Sequence, residues 1–181
     1  NEKFPFMTFK TVKYLDTEIR LLRASFTGEL GYEIYVPPKY ALELWEKIFR
    51  NGKNLGLVPY GTETMHLLRA EKGYVVVGQD TDGTVTPIDL NLNWMIGKKK
   101  KDFIGKRSLS RKAFAAEDRQ KIVGVVPLDK KTSIPEGSHL VKDSNAPLPN
   151  PKLGYISASC WSVEHDNPFS LAILKDGKNM I

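Results

Sequence analysis

The 181-residue chain has little of what several functional classes require. Cys160 is its only cysteine, which excludes an intrachain disulfide and any metal site built on cysteines. A lone thiol fits a reducing compartment, so a cytoplasmic location is expected. No run approaches the ~20 apolar residues of a membrane-spanning helix, and no membrane contact is expected. His66, His139 and His165 lie far apart, and none has a second His or Cys at ligand spacing, so no metal is expected. Neither G-x-G-x-x-G nor G-x-x-x-x-G-K occurs, so the phosphate cradles of nucleotide-binding folds are missing. There is no G-x-S-x-G elbow, and Cys160 beside Trp161 in a strand-like stretch reads as an inert buried thiol. Asn1 opens the chain with neither an initiator methionine nor a signal-peptide pattern, which reads as a piece cut from a longer protein.

What is there is an ordinary globular composition, 41% hydrophobic and 27% charged, enough to build a core. The net charge is +6, and much of it is concentrated in the four lysines of residues 98–101 with Lys106, Arg107, Arg111 and Lys112. Such a run attracts phosphate or polyglutamate, or is simply a solvated face. It lacks the aromatic interleaving of a nucleic-acid surface, so nucleic acid is disfavoured as a partner.

Residues 8–15 and 17–26 alternate apolar and polar around Asp16, which predicts a hairpin. A short strand over 32–36 follows a turn with Gly28 and Gly31. Pro38 then opens an amphipathic helix in which Ala41, Leu42, Leu44, Trp45, Ile48 and Phe49 recur at helical spacing. A short strand over 55–59, a helix over 62–71 closed by Gly73, and a buried strand over 74–77 complete the first region. Strand-like runs at 120–127, 137–142, 152–159 and 168–174 make up the rest. The expectation is α+β: an antiparallel sheet with helices on one side, then a small C-terminal β-barrel. The change of texture puts the boundary near residues 112–119, giving domains of 1–112 and 113–181.

Asp80 and Asp82 lie in a glycine-rich turn, whose chemistry explains them without catalysis. Gly28-Glu29-Leu30-Gly31-Tyr32-Glu33 feeds an aromatic and a carboxylate into a strand, which alone makes no site. The longer string SFTGELGYEIYVP, residues 25–37, resembles the x-x-T-G-E-x-G-x-E-I-x-V-P signature of the glycine-cleavage T-protein superfamily. LRAEKG at 68–73, GQDTDGTVTP at 78–87 and DFIGKRSL at 102–109 follow in the order of that family. LGYISAS at 153–159 and SLAIL at 170–174 resemble its C-terminal barrel strands. The stretch from Tyr60 to Gly73 and the GQDTDGT string resemble the sarcosine oxidase alpha-subunit branch. Thr64-Met65-His66 stands where glycine-cleavage members carry A-R-D, which disfavours that branch.

The resemblance implies an α+β folate-binding lobe with a ferredoxin-like arrangement, incomplete at its N-terminus. It also implies a β-barrel whose last strand is cut after Ile181. It implies tetrahydrofolate as ligand, with the Glu33 carboxylate on the two-donor edge of the pterin, where paired charge-assisted hydrogen bonds both hold and orient a ring. Arg69 would reach a carboxylate or ring oxygen, or make a structural salt bridge to Glu71 or Glu29. Thr27 and Gly28 would let the backbone approach the ligand, or merely turn. Tyr74 and Trp94 would wall the cavity or pack in the core. Tyr32 is the weaker choice, since neighbours on a strand face opposite ways.

In the whole enzyme the family implies oxidation of sarcosine at a flavin on another subunit. Tetrahydrofolate then captures the one-carbon unit as 5,10-methylenetetrahydrofolate, with glycine and hydrogen peroxide as the other products, in glycine betaine catabolism. FAD, FMN and NAD would be held mainly outside this segment, other sarcosine oxidase subunits would be partners in a heterotetramer, and no catalytic residue is expected in this chain. A stand-alone folate-dependent aminomethyl or methyl transferase, and a non-enzymatic folate- or RNA-binding module, remain open.

Overall fold

The computed structural model describes residues 3–180. Asn1 and Ile181, on which the expectations of a cut chain rest, lie outside the described residues. The chain forms two compact units, residues 1–74 and 75–181.

In the first unit, β1 (Phe9–Tyr14), β2 (Thr17–Leu22) and β3 (Glu33–Tyr35) form an antiparallel sheet in that order. Tyr14 pairs with Thr17, leaving Leu15 and Asp16 as a two-residue turn with Leu15 at φ +53°. The Asp16 carboxylate holds this turn to the next helix, accepting from the Tyr40 hydroxyl and pairing with Lys39 at 3.8 Å. That helix, α1 (Pro38–Gly52), starts on a proline, whose missing N–H costs nothing at a first turn. Its apolar stripe is plain in the sequence, yet no α1 residue is fully buried: Leu42 is 70% exposed, and Trp45 packs at a tilt on Phe49, 4.5 Å between ring centroids. A second helix, α2 (Thr62–Glu71), buries Arg69 and Ala70.

The strand expected over 55–59 is absent: Leu57 N–H returns to the Gly52 carbonyl at 3.2 Å, and Gly56 takes a left-handed φ of +75°. The strand expected over 74–77 is absent too. Tyr74 N–H donates to Arg69 O at 2.8 Å, and Val76 N–H donates to the Asp80 carboxylate at 2.8 Å, so these donors are withdrawn from any ladder.

The second unit begins with turns, a short 3-10 turn at Asn93–Met95, and two four-residue helices, α3 (Lys106–Leu109) and α4 (Lys112–Ala115). Then β4 (Gln120–Val125), β5 (His139–Val141), β6 (Lys152–Ser162) and β7 (Asn167–Lys175) form an antiparallel sheet ordered β4-β7-β6-β5. Among the described residues β4 and β5 are its edges. Ile122, Ile156, Ala158, Leu171, Ala172 and Ile173 are buried on it, and each large one contributes about 1.5–3 kcal/mol of apolar transfer. Gly154 is required where β6 meets β7, because a Cβ there would lie 2.0 Å from the Ile173 carbonyl oxygen.

The turn of residues 78–89 is tied to this sheet by buried carboxylates. Asp80 accepts from the Ser157 hydroxyl at 2.5 Å, at the point where β6 bulges between Ile156 and Ala158. Asp89 accepts from Thr86 N–H at 2.8 Å and in bidentate fashion from Arg119, at 2.9 Å from Nε and 2.5 Å from Nη2. Burial opposes ionisation of Asp89, but the bonds from Arg119 and Thr86 outweigh it and hold the carboxyl below its usual range. Asp82 closes its own turn, accepting from Thr84 N–H at 2.7 Å and from the Thr84 hydroxyl at 2.6 Å.

Candidate functional site

The first unit carries most of the candidate residues, and its geometry starts from Gly28. This residue has φ +82°, and a Cβ there would lie 2.8 Å from Lys72 Cγ and 3.3 Å from Tyr74 Cε1. Only glycine fits, in conformation and in space. The turn is therefore pressed against the last residues of α2 and the segment that follows. Thr27 Oγ1 accepts from Glu29 N–H at 3.4 Å, and Glu29 pairs with Lys72 Nζ at 2.6 Å. Arg69, 1% exposed, donates from Nη1 to the Tyr74 carbonyl at 3.1 Å while Tyr74 N–H returns to the Arg69 carbonyl. Thr27, Gly28, Arg69 and Tyr74 thus meet in one place.

Glu33 begins β3, opposite Leu22, and is exposed. Its Oε2 accepts from the hydroxyl of Tyr35, two residues on and on the same face. That hydrogen bond, with the charge of Glu33 and some burial, raises the Tyr35 hydroxyl above the usual tyrosine range. Tyr32 turns elsewhere and packs on Phe4 at 5.7 Å between ring centroids. Trp94 belongs to the second unit and is 71% exposed on its 3-10 turn.

Three residues of this region escape a reading of the sequence. Lys72 covers Gly28 and pairs with Glu29. Tyr35 holds the Glu33 carboxylate, and the period-two spacing of a strand was the available signal for it. His66, one turn before Arg69 on α2, lies edge-on to Phe26 at 5.9 Å and 90°. A groove of about 490 Å³ in the second unit, lined by Asp82, Arg119, Lys152, Tyr155 and Lys175 among others, contains none of the candidate residues.

The turn and its seat on α2 fall inside a stretch, residues 1–100, that matches the family model of the GCVT N-terminal domain. The chain belongs to that family. Among relatives, sarcosine oxidase subunit alpha of Corynebacterium sp. (strain P-1) is 45% identical over 185 residues, taking in 100% of this chain and 19% of the relative. The subunit of the same name from Rhizobium meliloti (strain 1021) is 40% identical, over 97% of this chain and 18% of its own length. An aminomethyltransferase of Halothermothrix orenii is 36% identical over 79% of this chain and 39% of its own. The chain thus spans about a fifth of the sarcosine oxidase subunits it matches.

The crystal structure of glycine cleavage system aminomethyltransferase T from Bartonella henselae superposes with a TM-score of 0.76 at 24% identity, over 98% of this chain and 46% of that one. That likeness establishes the fold: antiparallel sheets plus helices in the arrangement of a T protein. Among the described residues, no helix is long and apolar enough to cross a membrane.

Proposed function

We propose that the chain is the tetrahydrofolate-binding part of the alpha subunit of a heterotetrameric sarcosine oxidase. The observation that carries this reading is the seating of the Gly28 turn on Lys72 and Tyr74, which leads directly into a strand that begins with an exposed carboxylate, Glu33. Identities of 45% and 40% to sarcosine oxidase alpha subunits support the choice of branch.

In this reading tetrahydrofolate takes up the one-carbon unit of oxidised sarcosine as 5,10-methylenetetrahydrofolate, leaving glycine, and a flavin held outside this chain would supply the two-electron oxidation, with oxygen reduced to hydrogen peroxide. Glu33 accepts from the pterin amino group and the neighbouring ring N–H, two charge-assisted bonds of about 1.5–3 kcal/mol each. The Tyr35 hydroxyl occupies one lone pair of Oε2 and fixes the carboxylate, leaving Oε1 and the rest of Oε2 as acceptors. Arg69 acts from behind, holding the Tyr74 carbonyl so that the Tyr74 ring lines the cavity beside Gly28, while Thr27 shapes the turn. Tyr32, packed on Phe4, borders the cavity rather than facing it. No catalytic residue is assigned to this chain. FAD, FMN and NAD, and the other subunits, belong to the remainder of a cytoplasmic complex. The bulge in β6 supports closure of the second sheet into a small barrel.

The products of the assembled oxidase test the proposal. Glu33→Gln is expected to leave sarcosine-dependent peroxide formation unchanged while the one-carbon unit appears as free formaldehyde, because water attacks the imine when folate is not in place. Unchanged yields of methylenetetrahydrofolate contradict the assignment. The 36% identity to an aminomethyltransferase favours a second reading, a stand-alone folate-dependent transferase, and absence of flavin from the purified complete protein selects it.

A further inference from the structure

The Nδ1 atom of His66 is buried and, among the described residues, has no hydrogen-bond partner. Leaving such an atom unpaired costs more than a made hydrogen bond returns, so a histidine retained there calls for an explanation that the fold of the chain does not supply. A phenylalanine or leucine would fill the same space without that cost. The atom also sits where a ligand is already inferred. His66 lies three residues before Arg69 on α2, so the two side chains share a helix face, and Arg69 leads through the Tyr74 carbonyl to the Gly28 turn. Phe26, the residue just before that turn, lies edge-on to the imidazole at 5.9 Å and is itself 43% exposed. The Ser25 hydroxyl oxygen, next along, is likewise buried without a partner among the described residues.

We propose that His66 contacts the ligand of this site, its Nδ1 accepting a hydrogen bond from an N–H of the bound reduced folate once Phe26 turns aside. With the imidazole proton on Nε2, Nδ1 is an acceptor and requires a donor, and a reduced pterin with its appended amide offers several planar N–H groups. This rests on the folate reading, and it adds a polar contact from helix α2 to the carboxylate contact from strand β3. Ligand recognition then comes from both elements that the Gly28 turn brings together.

The test is calorimetric titration with 5-formyltetrahydrofolate, on the chain alone and in the assembled oxidase, for wild type, His66→Phe and His66→Asn, with a thermal melt of each without ligand. Phenylalanine keeps the ring against Phe26 and removes both nitrogens, whereas the asparagine amide restores a polar atom near the Nδ1 position. The expected result is affinity at least about tenfold weaker in His66→Phe, within about threefold of wild type in His66→Asn, and an unliganded melting temperature in His66→Phe equal to or above that of wild type. Equal affinity in wild type and His66→Phe overturns the inference while leaving the folate reading intact. A His66→Phe chain that fails to fold, or melts well below wild type, overturns it by making the nitrogen structural. Absence of folate binding by wild type in both forms overturns this inference together with the reading beneath it.

Discussion

The two units of this chain bury their apolar residues to very different degrees. The second unit closes over Ile122, Ile156, Ala158, Leu171, Ala172 and Ile173, and locks its turns with the buried Asp89–Arg119 pair. Among its described residues the first unit has only Ile19 and Ala70 as buried apolar side chains, and it leaves Phe9, Leu42 and Trp45 more than half exposed. Yet the first unit holds six of the seven candidate ligand residues, together with the buried unpartnered atoms of Ser25 and His66. The more deeply buried unit and the unit proposed to bind the ligand are thus different parts of the chain. That division agrees with the proposed site, since binding regions are drawn from the less stable part of a fold.

The contrast can be broken most strongly in the second unit. Asp89→Ala strands the Arg119 guanidinium and is expected to cost about 3–5 kcal/mol in urea unfolding. The same pair sets a pH dependence. The Asp89 carboxyl is held below its ordinary 3.8, so the stability it contributes is fully present above about pH 4 and is lost as pH falls through the lower, folded value. Acid unfolding followed by circular dichroism should lose this component of its slope in Asp89→Asn. Ile156→Ala, at a position with no exposure, is expected to cost about 2–5 kcal/mol.

Substitutions in the first unit sharpen the comparison with smaller effects on stability. Gly28→Ala forces a Cβ into Lys72 at a positive φ and is expected to cost about 1–3 kcal/mol while also weakening folate binding. Trp45→Ala on the open face of α1 should cost less than about 1 kcal/mol. A loss at Trp45 equal to that at Ile156 would erase the distinction between the units.

Local chemistry was legible in the sequence, and long-range chemistry was not. The helix over 62–71 appears at Thr62–Glu71, and the alternation about Asp16 becomes β1 and β2. Both depend on periodicity within a few residues. The runs at 55–59 and 74–77 have the apolar character of strands, but their backbone donors are taken by the Gly52 carbonyl and the Asp80 carboxylate. The change of texture near residues 112–119 coincides with the approach to β4, whereas the compact units divide after Tyr74. Glycine at position 28 announced a turn. That Lys72 and Tyr74 would crowd it depends on a contact across more than forty residues, which no local pattern encodes.

The central claim is that Glu33 anchors a reduced folate. It is tested most directly by calorimetric titration of wild type and Glu33→Gln with 5-formyltetrahydrofolate, after both are shown to melt cooperatively at similar temperatures. The account predicts that wild type binds and that the substitution weakens binding by at least about 1.5 kcal/mol, more than tenfold. Equal affinity in the two proteins would contradict it.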